Sequence, residues 1–138
     1  MNHGLLFLFV CLCGGSGAAC RFILDTAIKR VWSRSFPLST TIINLLASLL
    51  LGLIMGLLAG SGTGRASSSP SVGLVVFKTV TTSGFLGGFS TFSTAINESR
   101  ELLQKGKKGT GAAYLAVSMI GPALCAWAGY ALGMVLRL

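Results

Sequence analysis

Apolar residues dominate four stretches of the chain, and each stretch is long enough to cross a lipid bilayer. These stretches are residues 5–24, 39–59, 72–103 and 112–136. About 20 apolar residues suffice for one transmembrane helix. A segment rich in glycine and serine, residues 61–71, predicts a flexible loop between the second and third stretches. The pattern therefore predicts one domain, residues 1–138, that is an all-α integral membrane protein with four transmembrane helices.

The third stretch contains a polar, glycine-rich interruption. Two adjacent glycines are followed by four residues with hydroxyl side chains. These six residues are Gly87, Gly88, Ser90, Thr91, Ser93 and Thr94. Each glycine lowers helix stability by roughly 1 kcal/mol relative to alanine, and in lipid a broken helix is tolerated only where it is buried in protein or lines a watery cavity. We therefore predict a third helix that is broken near its middle and that handles ions there.

Composition agrees with a membrane protein. The 138 residues are 52% hydrophobic and 10% charged, whereas a soluble domain carries about 25% charged residues. The formal net charge is +8, but the basic residues flank the apolar spans and form no stripe with interleaved aromatic residues. We therefore expect them to meet lipid headgroups at the cell membrane and expect no nucleic acid as a partner. The four cysteines all lie in apolar segments without a C-x-x-C pair, which favours packing over metal binding.

The basic residues are distributed unevenly about the predicted membrane. Eight of the 11 lysines and arginines lie on the side that holds the first and third connections, and three lie on the other side. The positive-inside rule places the richer side in the cytoplasm and both termini outside. A chain that inserts equally in both directions would be nearly balanced, so the bias indicates one preferred orientation.

Small residues recur at spacings that bring helices close together. Gly14 to Ala19 form a thin surface on the first span, Gly52 and Gly56 recur on the second, and Gly129 and Gly133 on the fourth. Such spacing allows neighbouring backbones to approach.

Two polar residues in the spans have two interpretations each. Asn44 lies deep in the second span, where it either joins helices or lines a path for ions. Arg21 lies near the end of the first span, where it either reaches the headgroups or forms the mouth of an anion path. The residues alone leave the question open for Asn44 and favour the headgroup interpretation for Arg21.

Three segments resemble the Fluc-type fluoride channels, which are small four-span proteins that work as antiparallel dimers. The most specific segment reads Gly-Phe-Leu-Gly-Gly-Phe-Ser-Thr-Phe-Ser-Thr from Gly84 to Thr94 and is followed by Glu98. The segments from Gly14 to Arg21 and from Phe36 to Asn44 are weaker matches. The resemblance covers nearly the whole chain and implies a passive channel that exports cytoplasmic fluoride, not an enzyme.

The resemblance also implies a site. A structural sodium ion at the dimer centre would be held by the backbone carbonyls of Gly87 and Ser90. Amide, hydroxyl and aromatic-edge donors would replace the water of hydration of fluoride. The implied fluoride path comprises Arg21, Asn44, Phe92, Ser93, Thr94, Glu98, Tyr114 and Ser118. The hydroxyl track of the fourth span loses its continuation near Pro122.

One departure from the family pattern affects the expected assembly. Ala95 stands where the family has its second pore phenylalanine, so the path through this chain's own third span is expected to be incomplete. Together with the charge bias, this loss favours a heterodimer with a related subunit of opposite orientation. The other possibility is a homodimer whose charge bias is tolerated.

Two functions of other classes compete with the channel. A small four-span exporter of lipophilic cations needs an acid buried in its first span, but the only acid there is Asp25, at the end of the span. A non-conducting membrane assembly protein would explain the glycine faces but not the polar break.

Overall fold

The computed structural model describes residues 3–31, 37–59 and 72–136, all of which are helical apart from short turns and caps. The predicted loop over residues 61–71 lies outside the described residues. The helices are α1 (His3–Val31), α2 (Leu38–Leu58), α3 (Val72–Thr79), α4 (Gly87–Phe89), α5 (Phe92–Gln104) and α6 (Lys108–Leu136). A π-helical segment, Val80–Leu86, joins α3 to α4. In the described part of the chain, four segments are long and apolar enough to cross a membrane, which confirms the predicted four-span fold.

The first helix is longer than the apolar stretch predicts. It continues past Leu24 to Val31, because polar side chains in this extension find partners one turn earlier in the same helix. The Lys29 ammonium lies 2.8 Å from the Asp25 carboxylate one turn earlier, and the Thr26 hydroxyl donates to the Phe22 carbonyl at 2.8 Å. As a result, Arg21 lies within the helix and not near its end.

The predicted glycine faces form close helix–helix contacts. A Cβ at Gly52 would overlap the carbonyl oxygen of Ala126 in α6, and one at Gly129 would overlap that of Leu49 in α2. On the other side of the molecule, a Cβ at Gly88 would overlap the carbonyl of Gly14 in α1. The predicted close approach is confirmed at these positions. Gly15, however, faces open space and takes no part in it.

The third span is broken after its paired glycines and not at them. Gly87 is α-helical, with φ −62° and ψ −40°, whereas Ser90 and Thr91 are extended, with ψ of 156° and 115°. Gly88 therefore serves the contact with α1, and the break belongs to the hydroxyl residues that follow. We call Ser90–Thr91 the break. The prediction of a helix interrupted near its middle is confirmed, but the role given to the glycines was wrong.

Two small apolar clusters pack the helices that precede and follow the break. Ile43, Ala47 and Phe89 form one cluster between α2 and α4, with Leu24 packed against it. Ala95, Leu102 and Tyr114 form the other, between α5 and α6. Most other large apolar side chains point outward, as expected where the surrounding solvent is lipid.

Candidate functional site

Asn44 holds the backbone of the break through two hydrogen bonds. Its amide nitrogen Nδ2 donates to the Thr91 carbonyl at 2.7 Å, and its oxygen Oδ1 accepts from the Thr91 N–H at 2.8 Å. An unpaired backbone group in an apolar environment costs about 1–3 kcal/mol. Asn44 satisfies both groups of Thr91 at once, and this pairing stabilises a break that lipid would otherwise disfavour.

The break releases two carbonyl oxygens of the third span. In a continuous helix the Thr91 N–H would bond to the carbonyl of Gly87, but here it bonds to Asn44. Likewise, the Thr94 N–H would bond to the carbonyl of Ser90, but here it bonds to Thr91 Oγ1 at 3.4 Å. Gly87 and Ser90 are both exposed. The two carbonyls thus lose the amides that a helix would give them.

The helix after the break begins with a hydroxyl cap. Thr91 is the N-cap of α5, and its Oγ1 accepts from the Thr94 N–H. Its hydroxyl also lies 3.0 Å from that of Thr94 and 3.3 Å from that of Ser93. The hydroxyls of Ser93 and Thr94 therefore cluster around the cap.

A cavity of about 300 Å³, which we call the polar cavity, lies between α2, the break and α6. Its lining residues are Asn44, Ser48, Ser90, Thr91, Phe92, Ser118, Met119 and Pro122. The Ser118 oxygen Oγ is buried and has no hydrogen-bond partner among the described residues. Asn44 uses one amide hydrogen on Thr91, and an amide nitrogen carries two. The cavity therefore offers hydrogen-bond donors inside an apolar bundle.

A second polar group lies one helical turn away from the polar cavity. The Tyr114 hydroxyl donates to Glu98 Oε2 at 2.7 Å, and the Thr40 hydroxyl donates to Glu98 Oε1 at 3.0 Å. Thr40 precedes Asn44 by one turn of α2, and Tyr114 precedes Ser118 by one turn of α6. Since α2 and α6 run side by side, the two polar groups form a column along the axis of the bundle.

Comparison with known proteins identifies the family of this chain. Residues 8–130 match the model of the family described as CrcB-like protein, Camphor Resistance (CrcB). The chain belongs to this family.

Curated relatives agree with that assignment. The chain is 46% identical over 123 residues to the fluoride-specific ion channel FluC 3 of Bifidobacterium longum (strain NCC 2705), covering 89% of this chain and 93% of the relative. It is 37% identical to FluC 1 of the same strain, covering 84% and 86%. It is 35% identical to FluC 2 of Geobacillus kaustophilus (strain HTA426), covering 92% of each chain.

The fold brings some of the residues predicted from the family resemblance together and separates others. Asn44, Phe92 and Ser118 line the polar cavity, while Glu98 and Tyr114 meet one turn away. Ser93 and Thr94 belong to the cap of α5 and do not line this cavity. Arg21, on α1, is not among the residues that line the polar cavity, and its Nε is buried without a hydrogen-bond partner in the described residues.

Phe92 and Ala95, which correspond to the two pore phenylalanines of the family pattern, differ in their surroundings. Phe92 is 53% exposed and lines the polar cavity on its open side, whereas Ala95 is fully buried at 0%. Ala95 packs against Tyr114 and Leu102 within this chain. The residue that replaces the second family phenylalanine therefore fills a contact between α5 and α6.

Sequence reasoning missed two members of the column. Thr40 binds Glu98, and Ser48 lines the polar cavity, yet neither was singled out as a site residue. Both lie four residues from Asn44, so they share its helix face. This spacing is the signal that could have found them.

Proposed function

We propose that this chain forms a passive, fluoride-selective channel in the cell membrane through which cytoplasmic fluoride leaves the cell. The observation that carries the proposal is the polar cavity, whose donors from α2 and α6 lie inside a membrane-spanning bundle. The printed names of the relatives, fluoride-specific ion channel, support the same function.

The chemistry of the donors suits a small, strongly hydrated anion. Fluoride leaves water only where other donors replace its hydration shell, and Asn44, Ser118 and the edge of the Phe92 ring supply such donors. The Tyr114 hydroxyl already donates to Glu98, so it reaches a passing anion only by exchanging that bond. The cavity is thus the place where hydrogen-bond donors of the protein replace the water molecules around fluoride.

We further propose that a structural sodium ion is held by the carbonyls of Gly87 and Ser90. Hard cations take oxygen ligands, and unwound backbone supplies them without a buried negative charge. The donor set fits, because both carbonyls have lost the amides that a helix would provide. When bound, the ion supplies fixed positive charge, which lowers the electrostatic cost of an anion nearby.

The exposure of these residues favours an antiparallel dimer. Gly87, Ser90 and Phe92 are exposed in the single chain, and released carbonyls in lipid need a partner. A second subunit of opposite orientation would cover them. The charge bias of eight basic residues against three favours a related subunit over a second copy of this chain, so we propose a heterodimer.

Fluoride efflux from liposomes, followed with a fluoride electrode, tests the function and the assembly together. We expect weak flux from this chain alone and strong flux when it is co-reconstituted with a related FluC subunit from the same genome. Strong flux from the chain alone would overturn the heterodimer but keep the channel. Absence of flux from both preparations would overturn the channel.

The sodium proposal has a separate readout. The thermal stability of the purified dimer should fall when sodium is replaced by N-methylglucamine and recover when sodium is returned. Equal stability in both salts at matched ionic strength would contradict it. The runner-up function, cation export, receives no support from α1, whose only acid, Asp25, is paired with Lys29.

A further inference from the structure

Ser48 lies at the end of the polar column opposite to Glu98. It follows Asn44 by one turn of α2 and is half-buried. It lines the polar cavity and also a smaller cavity of about 130 Å³, which it shares with Thr82, Gly87 and Ser90. Ser48 and Ser90 are the two residues common to both cavities. Ser48 is thus the hydroxyl of α2 that reaches furthest along the column.

The Ser48 hydroxyl is not used by its own helix. Hydroxyl side chains inside helices commonly donate to a carbonyl three or four residues earlier. Ser16, Thr26, Thr41 and Thr82 all do so here, at 2.7–3.3 Å. Ser48 makes no hydrogen bond of this kind, nor any other within the part of the chain that the structure describes. Its donor is therefore available to whatever occupies the cavity.

The opposite wall of the cavity lacks a donor at this level. Tyr114, Ser118 and Pro122 follow one another at intervals of four on α6, and the last two line the polar cavity. Proline has neither a backbone N–H nor a polar side chain. Of the α6 residues that line the polar cavity, then, Ser118 alone carries a side-chain hydrogen-bond donor, and Ser48 lines the same cavity from α2.

We propose that Ser48 donates its hydroxyl hydrogen to the anion at the end of the polar cavity opposite to Glu98, in the place where Pro122 leaves α6 without a donor. Ser48 is then a fluoride-binding residue that follows Asn44 and Ser118 in the path. This assignment rests on the proposed channel function.

A matched pair of substitutions isolates the hydroxyl from its volume. Ser48→Thr keeps the donor and adds one methyl group, while Ser48→Val has the shape of threonine without the donor. Ser48→Ala removes the donor without adding volume. Ser16→Ala is the control, because the Ser16 hydroxyl is exposed and already bonded to the Cys13 carbonyl. All variants are compared in the assembly that conducts, whether this chain alone or the chain with its related subunit, after size-exclusion chromatography has verified the dimer.

The expected result is a loss of fluoride efflux of about tenfold or more in Ser48→Ala and Ser48→Val, because a hydrogen bond to a charged group is among the stronger kinds. Ser48→Thr and Ser16→Ala should remain within about twofold of the unmodified chain. Equal flux in Ser48→Thr and Ser48→Val overturns the assignment of Ser48 and leaves the channel intact. An unmodified chain that passes no fluoride in either assembly overturns the channel first, and the role of Ser48 with it.

Discussion

The second helix meets α6 and the third span in opposite ways. Against α6 it presents glycine, so that a Cβ at Gly52 would overlap the Ala126 carbonyl, and α6 presents Gly129 in return. Against the third span it presents Asn44, which pairs with both backbone groups of Thr91 at 2.7 and 2.8 Å. The first contact depends on the absence of atoms and the second on the presence of two particular polar atoms.

The glycine contact therefore holds the helices together, whereas the polar contact lies beside the cavity that could admit an ion. Without a hydrophobic force between helices in lipid, close van der Waals contact is a main source of association, and the glycine contact supplies it. The polar contact borders a cavity of about 300 Å³, so added volume matters less there. Substitutions at the two contacts should therefore fail in different ways.

The largest effect is expected at the glycine contact. Gly52→Val places a branched side chain where even a Cβ would overlap the Ala126 backbone, and backbone cannot move aside cheaply. We expect no recoverable folded protein after detergent extraction, measured by size-exclusion chromatography. Gly15→Val is the control, since Gly15 faces open space within this chain. A folded Gly52→Val protein would show that the two helices can separate, and the contact would lose its structural role.

The next effect is expected at the polar contact, on flux more than on folding. Asn44→Ala leaves the N–H and carbonyl of Thr91 without partners, at about 1–3 kcal/mol each, and removes a donor from the polar cavity. We expect fluoride efflux to fall at least about tenfold while some folded protein remains. Asn97→Ala is the matched control, because Asn97 is exposed on α5. Unchanged efflux with Asn44→Ala would mean that water replaces the amide at the break.

A third substitution tests the contact between α5 and α6. This contact is buried, like the glycine contact, but it is formed by side chains. The family resemblance suggests that Ala95→Phe would complete the aromatic path. Ala95 is fully buried against Tyr114, however, so we expect the larger ring to destabilise the protein by about 1–3 kcal/mol, the usual cost of overpacking. The melting temperature in detergent measures this loss.

Ile96→Phe is the control for Ala95→Phe, because Ile96 is 44% exposed and a ring there has room. Higher fluoride efflux with an unchanged melting temperature in Ala95→Phe would show that position 95 faces a path and not the interior. The two variants thus separate the two explanations for the missing phenylalanine.

The sequence was sufficient for the features that depend on local pattern. Apolar length predicted four spans, and the spacing of Gly52 and Gly129 predicted faces of close approach, because both follow from helix geometry alone. The same reasoning erred at Gly87 and Gly88. Glycine signals a weak helix and a close contact equally well, and only the position of Gly14 on α1 shows that contact is the role of Gly88.

The site itself depended on contacts between distant parts of the chain. Asn44 was predicted either to join helices or to line a path, and it both bonds to Thr91 and lines the polar cavity. Its bonding partner is a backbone group 47 residues away, which no local pattern specifies. The spacing of Ser48 from Asn44 indicated a shared helix face. Only the structure shows that its hydroxyl makes no hydrogen bond within the described residues.

The smallest effect is expected in the second polar group, formed by Thr40, Glu98 and Tyr114, where two hydroxyls share one carboxylate. Thr40→Val removes the 3.0 Å bond to Glu98 and keeps the shape of the side chain. Since Tyr114 still donates to the other oxygen at 2.7 Å, we expect a loss of about 1 kcal/mol, the usual net contribution of one hydrogen bond. Thr110→Val, at an exposed position of α6, is the control for the melting temperature. Combining Thr40→Val with Tyr114→Phe should cost more than the two separate losses added together, because Glu98 then keeps neither donor. Strict additivity would contradict a shared carboxylate and would make the second polar group, like the glycine contact, a matter of packing alone.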